Sequence, residues 1–549
     1  MGAGGCKFCE FSSSRSRNSN SFDGPSSSHV QNNTGRGSNI GPDSRIERYV
    51  PSVFGTNFGK VNRKTVDRLI LQVLSIIGHL VESAPDTPEA LQKLNEIADK
   101  EEGWIQMIHS MVNIIPLDNP LGPVVITVLL DDCPLPNKDT IVKLSKIFSL
   151  SRYGSVKKKK TVCEQRNVCI ILGMLAEKLA GPSSVALLTP GTLAYLVSNL
   201  EGNVEPILTL FSLVALEKFA QTSGNKISIK KYLETEPVNP ILKLERYVGS
   251  QDFVEAQVGF CAQWCLDNLF IVEGRKLSYE NVDLTNINAM LNSRDASEYL
   301  KISPDGLEAR CDAYLFESVR CTFPIHTGIW FYEITVLSCG VMQIGWATKK
   351  SKFLSHEGYG IGDDEFSVAY DGCRQQVWHN AHIEHQPEGP PWKPGCVLGC
   401  LLDLQSSKVV FYLNGAEVAT HTNVFKFAKT GFFAAASFMA FQHCQFNFGR
   451  SPFKYPPKNI PFQSFNDVGV LDPEERVILP RHLKLEKLRR MSVKEDSCTL
   501  CFDFVASVTL KPCNHNGFCI NCSVQLLTCP VCRATISSMV VDNSREISR

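Results

Sequence analysis

Eight residues near the C-terminus have the types and spacing for metal chemistry: Cys498, Cys501, Cys513, His515, Cys519, Cys522, Cys529 and Cys532. Thiolate sulfur and imidazole nitrogen are the ligands of closed tetrahedral zinc sites, four to an ion. A Cys-x-x-Cys pair presents both sulfurs to one ion from a tight turn. Three such pairs with a Cys-x-His between them, inside roughly 35 residues, specify two zinc ions rather than ordinary buried thiols or a redox dithiol. So short a segment cannot build a sufficient apolar core alone, and zinc is expected to be required for its folding.

Three cysteines precede the single His and four follow it, and the series ends Cys529-Pro530-Val531-Cys532. PHD fingers place the His fifth and LIM domains third; this order resembles the RING finger. The resemblance implies that Cys498, Cys501, Cys519 and Cys522 hold the first zinc and Cys513, His515, Cys529 and Cys532 the second. It also implies E3 ubiquitin ligase activity, in which a ubiquitin-charged E2 enzyme is held so that a substrate lysine attacks the thioester. No covalent catalytic residue is expected in that chemistry, because the contribution is positioning. Leu500 and Pro530 match the family's E2-contacting positions. Arg533, directly after the last ligand, matches the position that bridges E2 and ubiquitin through a planar, multi-donor guanidinium.

The rest of the chain must supply whatever this segment acts upon. At 549 residues it has room for about three or four domains. The formal net charge of zero gives no electrostatic footprint for nucleic acid, so none is expected as a partner. Most cysteines outside the segment are scattered singly through apolar stretches, as reduced thiols of a cytoplasmic protein are. No secretory signal or apolar run long enough to span a membrane is evident. Gly2, followed by Cys6 and Cys9, is a lipidation candidate, and membrane association is expected only if that modification occurs.

Residues 1–60 are rich in Ser, Asn and Gly and read as a disordered arm. Residues 61–272 read as a helical scaffold. Val66, Leu69, Ile70, Val73, Leu74, Ile77, Leu80 and Val81 follow helical spacing, with later breaks at Pro116, Pro134, Gly181-Pro182 and Pro237 to Pro240. Leu175 to Ala180 recurs as Ala215 to Ala220, which fits armadillo or HEAT-type stacking and leaves a non-repetitive bundle open. The lysine run Lys157 to Lys160 reads as a solvated loop.

After about residue 290 the period changes to two. Trp330, Tyr332, Ile334 and Val336 mark a half-buried strand, with further strands at Val341–Ala347, Ser367–Tyr370, Gln376–Trp378, Val397–Asp403, Lys408–Leu413, Phe432–Ser437 and Cys444–Phe448. Asp371-Gly372 and Asn414-Gly415 offer positive-φ residues for hairpin turns. An antiparallel β-sandwich is expected. The motifs Gly328-Ile329-Trp330-Phe331-Tyr332-Glu333, Gln343-Ile344-Gly345-Trp346-Ala347, Ala369-Tyr370-Asp371-Gly372 and Phe411-Tyr412-Leu413-Asn414-Gly415 resemble those of SPRY/B30.2 domains, over roughly 275–455. That resemblance implies partner binding through loops, here around Lys352 to Glu365 and Asn380 to Trp392, with the motif aromatics forming core.

The expected fold is thus multidomain: an all-α region, an antiparallel sandwich, a linker over 456–497 with a helical segment, a two-zinc finger over 498–533 and a tail over 534–549. The whole resembles RING-type E3 ubiquitin ligases with a SPRY domain. It departs from the tripartite-motif order, in which the RING comes first. A non-enzymatic adaptor with a structural zinc finger is the alternative.

Overall fold

The computed structural model describes residues 62–77, 88–148, 160–179, 181–354, 358–385, 390–490, 497–501, 504–541 and 545–548. Gly2, Cys6, Cys9, Leu80, Val81 and Lys157 to Lys159 lie outside them. The chain divides into two compact units between Ile478 and Leu479.

The first unit opens with helices α1 (Arg63–Ile77), α2 (Glu89–Ala98), α3 (Glu101–Ile114), α4 (Gly122–Asp132), α5 (Lys138–Ile147), α6 (Val162–Leu179), α7 (Gly181–Leu187), α8 (Pro190–Ser198), α9 (Pro206–Phe219), α10 (Ser223–Thr235), α11 (Pro240–Leu244) and α12 (Phe253–Asn268). Helix α1 buries Val66, Leu69, Ile70, Val73, Leu74 and Ile77, the stripe its spacing predicts. Prolines stand in the first turns of α4, α8, α9 and α11, where a missing N–H leaves no helical bond unmade. Helices α3, α6, α9 and α12 each pack against the next. Almost every side chain of α9 from Leu208 onward is buried, as in the inner row of a helical stack. The two similar hexapeptides meet in this row, where Lys218 pairs with Glu177 at 2.7 Å.

After the short helix α13 (Ser278–Asn281) come β1 (Leu291–Ala296), β2 (Leu300–Ile302), β3 (Glu308–Cys311), β4 (Glu317–Cys321), β5 (Ile329–Val336), β6 (Met342–Thr348), β7 (Ser367–Asp371), β8 (Gln376–His379), β9 (His382–His385), β10 (Val397–Asp403), β11 (Lys408–Leu413), β12 (Ala416–His421), β13 (Phe432–Phe438) and β14 (Gln442–Asn447). They form two seven-stranded antiparallel sheets, ordered β1-β4-β13-β6-β7-β8-β9 and β12-β11-β10-β5-β14-β3-β2. The motif aromatics Tyr332, Trp346, Tyr370 and Phe411 fill the core between them. The eight strands expected from the sequence are all present, β10 and β11 with the same bounds.

Strand β5 departs from the half-buried expectation. Its outward residue Phe331 is covered by Phe453 and Phe462, and the backbone N–H groups of Lys454 and Tyr455 donate to Glu333 at 2.7 and 2.6 Å. The covering strap continues past the expected domain end at 455. Gln463 exchanges backbone bonds with Ile329 and Phe331, and Phe465, opening helix α14 (Phe465–Val468), is fully buried. Residues 456–478 therefore belong to the first unit rather than to a linker. The turn chemistry also divides. Asn414 and Gly415 adopt φ of 50° and 83° as the tight hairpin requires. At the β7–β8 turn the positive φ falls on Gln375 (59°) instead. Gly372 serves close approach, since a Cβ there would lie 2.2 Å from the Trp392 ring.

The helical region is docked on one end of the sandwich, where β3 passes to β4, β5 to β6 and β13 to β14. Phe316, Val341, Met439, Ala440 and Phe441 share a single apolar core with the helices, and the Phe441 ring meets Phe211 of α9 edge-on at 5.2 Å. Beside this contact lies a fully buried charge cluster. Lys301 of β2 pairs with Glu217 of α9 and, at 2.6 Å, with Asp312; Arg310 pairs with Asp312 at 2.7 Å. Gln257 of α12 accepts from Arg310 at 2.8 Å and donates to the Leu337 carbonyl at 2.9 Å. Two cations facing two carboxylates satisfy the condition under which buried charge persists. Burial opposes ionisation, yet Asp312 and Glu217 hold Lys301 charged, above its ordinary range. Arg310 and Lys301 likewise hold Asp312 well below the usual carboxylate range.

The second unit begins with helix α15 (Arg481–Arg490) and continues through β15 (Val508–Lys511), β16 (His515–Phe518), α16 (Ile520–Ser523), β17 (Ser538–Val541) and β18 (Arg545–Ser548). The sheet order is β16-β15-β17-β18, so the segment expected as a tail supplies two strands. No helix among the described residues is long and apolar enough to cross a membrane.

Candidate metal centre

The β15–β16 hairpin places Cys513 and His515 at its turn, and α16 begins directly at the Cys519-x-x-Cys522 pair. Two tight loops carry the remaining pairs. In the first, the Cys498 N–H donates to the Phe504 carbonyl at 2.7 Å; in the second, the Cys529 N–H donates to the Ala534 carbonyl at 2.8 Å. The ligand atoms gather into two sets of four, Cys498, Cys501, Cys519 and Cys522, and Cys513, His515, Cys529 and Cys532, each set lying within 4.8 Å. Between them these sets use every one of the eight candidates.

The distances fit zinc. Bonds of about 2.3 Å to sulfur and about 2.0 Å to nitrogen at a tetrahedral angle separate two sulfurs by about 3.8 Å and a sulfur from a nitrogen by about 3.6 Å. The Cys501 and Cys519 sulfurs are 3.7 Å apart; His515 Nδ1 is 3.5 Å from Cys529 Sγ. Electrostatics agree. Burial works against ionising Cys498, but the backbone N–H groups of Cys501, Cys519 and Leu500 outweigh it and bring the thiol down to about 6. Burial is likewise outweighed at Cys529, where the N–H groups of Cys532 and Val531 bring the thiol to about 7. The bond that the Cys522 thiol donates to the neighbouring Cys519 sulfur favours its protonated form and pushes Cys522 up to about 12. Four sulfurs this close cannot all ionise without a cation among them, and two divalent ions supply that charge. The clusters are thus able to hold two zinc ions in closed, structural sites.

Around them the surface is unusually apolar. Leu500, Val531 and Leu527 are exposed, Leu527 by 76%, and so is Pro530. Val531 and Leu527 carried no expectation of their own; the signal was available, because large apolar residues packed between metal ligands have no core of their own to enter. Arg533 is exposed, with its backbone at φ 61° and its N–H donating to the Cys529 carbonyl at 2.8 Å.

In the sandwich the two expected partner loops differ. Of Lys352 to Glu365, residues 352–354 and 358–365 are described. This loop folds back over the first sheet, where the Ile361 N–H donates to Ser437 Oγ at 2.8 Å, while Lys352 stays exposed. The segment from Asn380 ends at the docked side. Trp392 is buried, its ring N–H donating to the Gly340 carbonyl at 3.2 Å.

Residues 329–451 match the SPRY domain family, and residues 494–539 match the family of zinc fingers of C3HC4 type, the RING fingers. The chain carries a SPRY domain and a RING finger. Over 144 residues it is 38% identical to the E3 ubiquitin-protein ligase RKP of Arabidopsis thaliana, covering 26% of this chain and 11% of RKP. Over 170 residues it is 25% identical to the ATP-dependent RNA helicase DDX1 of Xenopus laevis, covering 31% of this chain and 22% of the helicase. The chain therefore spans 11% and 22% of the length of these curated relatives. Among solved structures, the SPRY domain of human HERC1 is similar at a TM-score of 0.25 and 12% identity, covering 28% of this chain and 96% of that one. The TRIM65 PSpry domain is similar at a TM-score of 0.25 and 16% identity, covering 29% of this chain and 89% of that one.

Proposed function

We propose that the chain is a RING-type E3 ubiquitin ligase: its RING finger binds a ubiquitin-charged E2, and the helical and SPRY unit recruits the protein substrate whose lysine receives ubiquitin. The observation that carries this reading is the set of exposed groups around two closed metal sites. Leu500 and Pro530 offer E2 an apolar platform, and Arg533 stands exposed immediately after the last ligand, where a guanidinium can donate to E2 and ubiquitin together. Holding a flexible donor in a near-attack arrangement accelerates aminolysis without any covalent step. A purely structural finger has no need of such a face.

The similarity to a ligase over 144 residues supports the same reading. The helicase similarity does not favour a helicase, because no phosphate-cradling Gly-x-x-x-x-Gly-Lys-Ser/Thr loop occurs in the sequence. We place the protein in the cytoplasm, with membrane association only if Gly2, Cys6 or Cys9 is lipidated; intact-mass measurement of the N-terminal peptide tests that. The ligase reading is tested by autoubiquitination with E1, an E2 panel, ubiquitin and ATP. Activity of the native chain that disappears in Arg533→Ala sustains it, and inactivity of a folded, zinc-loaded chain with every E2 leaves the adaptor.

A further inference from the structure

We propose that the cleft between helix α12 and the outer face of the second SPRY sheet is a peptide-binding site, taking an uncharged, extended segment of a partner protein with one apolar side chain seated beside Phe253 and Phe260. Its use in substrate recruitment rests on the ligase reading; its existence does not.

The cleft is about 780 Å³, within the few hundred to about 1,000 Å³ typical of ligand sites, which favour domain junctions. Phe253, Phe260 and Val248 line it from the helical region; Thr335, Glu308 and Gln445 line it from β5, β3 and β14. Neither region alone makes it. The two sides are tightly fitted: Phe260 lies against the buried His443 ring at 4.5 Å, and a Cβ on Gly395 would come within 2.8 Å of Phe253. Docking of the helices also closes the neighbouring end of the sandwich, where Phe441 and Met439 are buried. A concave surface built by both regions is what that docking leaves open.

Chemistry selects the occupant. The charged lining balances, Arg275, Lys276 and Lys454 against Glu245, Asp305 and Glu308. Much of it is neutralised internally. Arg275 pairs with Glu245 at 2.5 Å and with Asp267 at 2.7 Å, while Glu308 accepts from Gln445 at 3.1 Å and faces His443 at 3.2 Å. A polyanion such as nucleic acid or a phosphorylated peptide finds no net positive wall here. Uncommitted groups remain in the carboxamides of Gln251, Gln263 and Asn281, which line the cleft and make no hydrogen bond among the described residues. Each offers one acceptor and two donors, the complement of a peptide main chain, and the phenyl rings supply the apolar seat.

The probe is a displayed library of random peptides of about 12 residues, selected on the full zinc-loaded chain. Enriched sequences should be near-neutral with one fixed apolar position. Their affinity should fall about tenfold or more in both Gln263→Arg and Val248→Asp, and stay unchanged in Phe427→Ala, which lies on the β12–β13 loop at the opposite end. Val248 is exposed and Gln263 half-buried, and a native thermal midpoint verifies that each variant is folded. Failure to enrich any sequence, enrichment of acidic sequences, or affinity indifferent to both cleft substitutions overturns the site. Autoubiquitination run in parallel separates the two readings. Lost peptide binding with ubiquitin transfer intact supports the cleft, whereas peptide binding that persists in a chain inactive with every E2 removes the ligase and leaves the cleft standing.

Discussion

Glu217→Ala should loosen the helical region from the SPRY domain. Lys301 lies over the Trp264 ring at 4.6 Å, with Glu217 on the helical side and Asp312 at 2.6 Å on its own. Removing Glu217 leaves two buried cations against one carboxylate. Breaking a buried pair in this way costs about 3–5 kcal/mol, a large fraction of the ~5–15 kcal/mol that stabilises a folded protein. At roughly 2 °C per kcal/mol for a large unit, the thermal midpoint of the first unit should fall by about 8 °C. Deleting both partners is the sharper comparison. Lys301→Met with Glu217→Ala keeps Arg310 and Asp312 balanced, so the double variant should recover to within about 2 kcal/mol of the native chain. The resulting coupling energy is expected to be about 2 kcal/mol or more. Calorimetry on the four proteins of the cycle reads it directly. A Glu217→Ala cost under about 1 kcal/mol with additive single effects would refute the reasoning and assign the docking to its apolar contacts alone.

Other consequences follow from the same structure. His421 is buried, with His379 and Lys426 adding to the effect, so that its imidazole is held down at about 3. The unfolded chain therefore binds the extra proton between that value and about 6.5, and stability contributed by His421 is lost as pH falls through this window. The loss reaches up to about 3 kcal/mol by about pH 4. Denaturant titrations across that range should show a flatter pH dependence in His421→Gln. Gly372→Ala would set a Cβ 2.2 Å from the Trp392 ring; overpacking of this kind costs about 1–3 kcal/mol, readable as a lowered denaturation midpoint. Chelation of zinc should abolish the ordered amide signals of the RING finger while leaving the thermal transition of residues 62–478 in place.

What could be read from the sequence was chemistry carried by residue type and local spacing. The zinc ligands declare themselves because thiols at Cys-x-x-Cys spacing have little other use, and β10 and β11 because a continuous apolar run and an Asn-Gly turn bound them. Strands β1 to β4 are not legible in the sequence: in β1, Asn292, Ser293, Arg294 and Asp295 carry no apolar alternation, and only pairing with β4 makes them a strand. The docking of the helices was equally hidden. Glu217 and Lys301 are 84 residues apart, and each looks like an ordinary surface charge until the other is placed beside it. The strap over β5 is invisible for a related reason. Phe453, Phe462 and Phe465 follow no helical or strand period, because their positions answer to the surface they cover. Asp371-Gly372 reads as a positive-φ turn because Gly has two uses, and only the position of Trp392 decides between them.

The central claim is ubiquitin transfer by the RING finger, and the direct measurement is single-turnover discharge of a ubiquitin-charged E2 onto lysine. The native chain should accelerate discharge with at least one E2. Cys513→Ser should lose that acceleration together with zinc, and Arg533→Ala should lose it by about tenfold or more with both zinc ions retained. Discharge by the native, zinc-loaded chain no faster than by E2 alone across the panel, or an Arg533→Ala rate equal to native, would contradict the account.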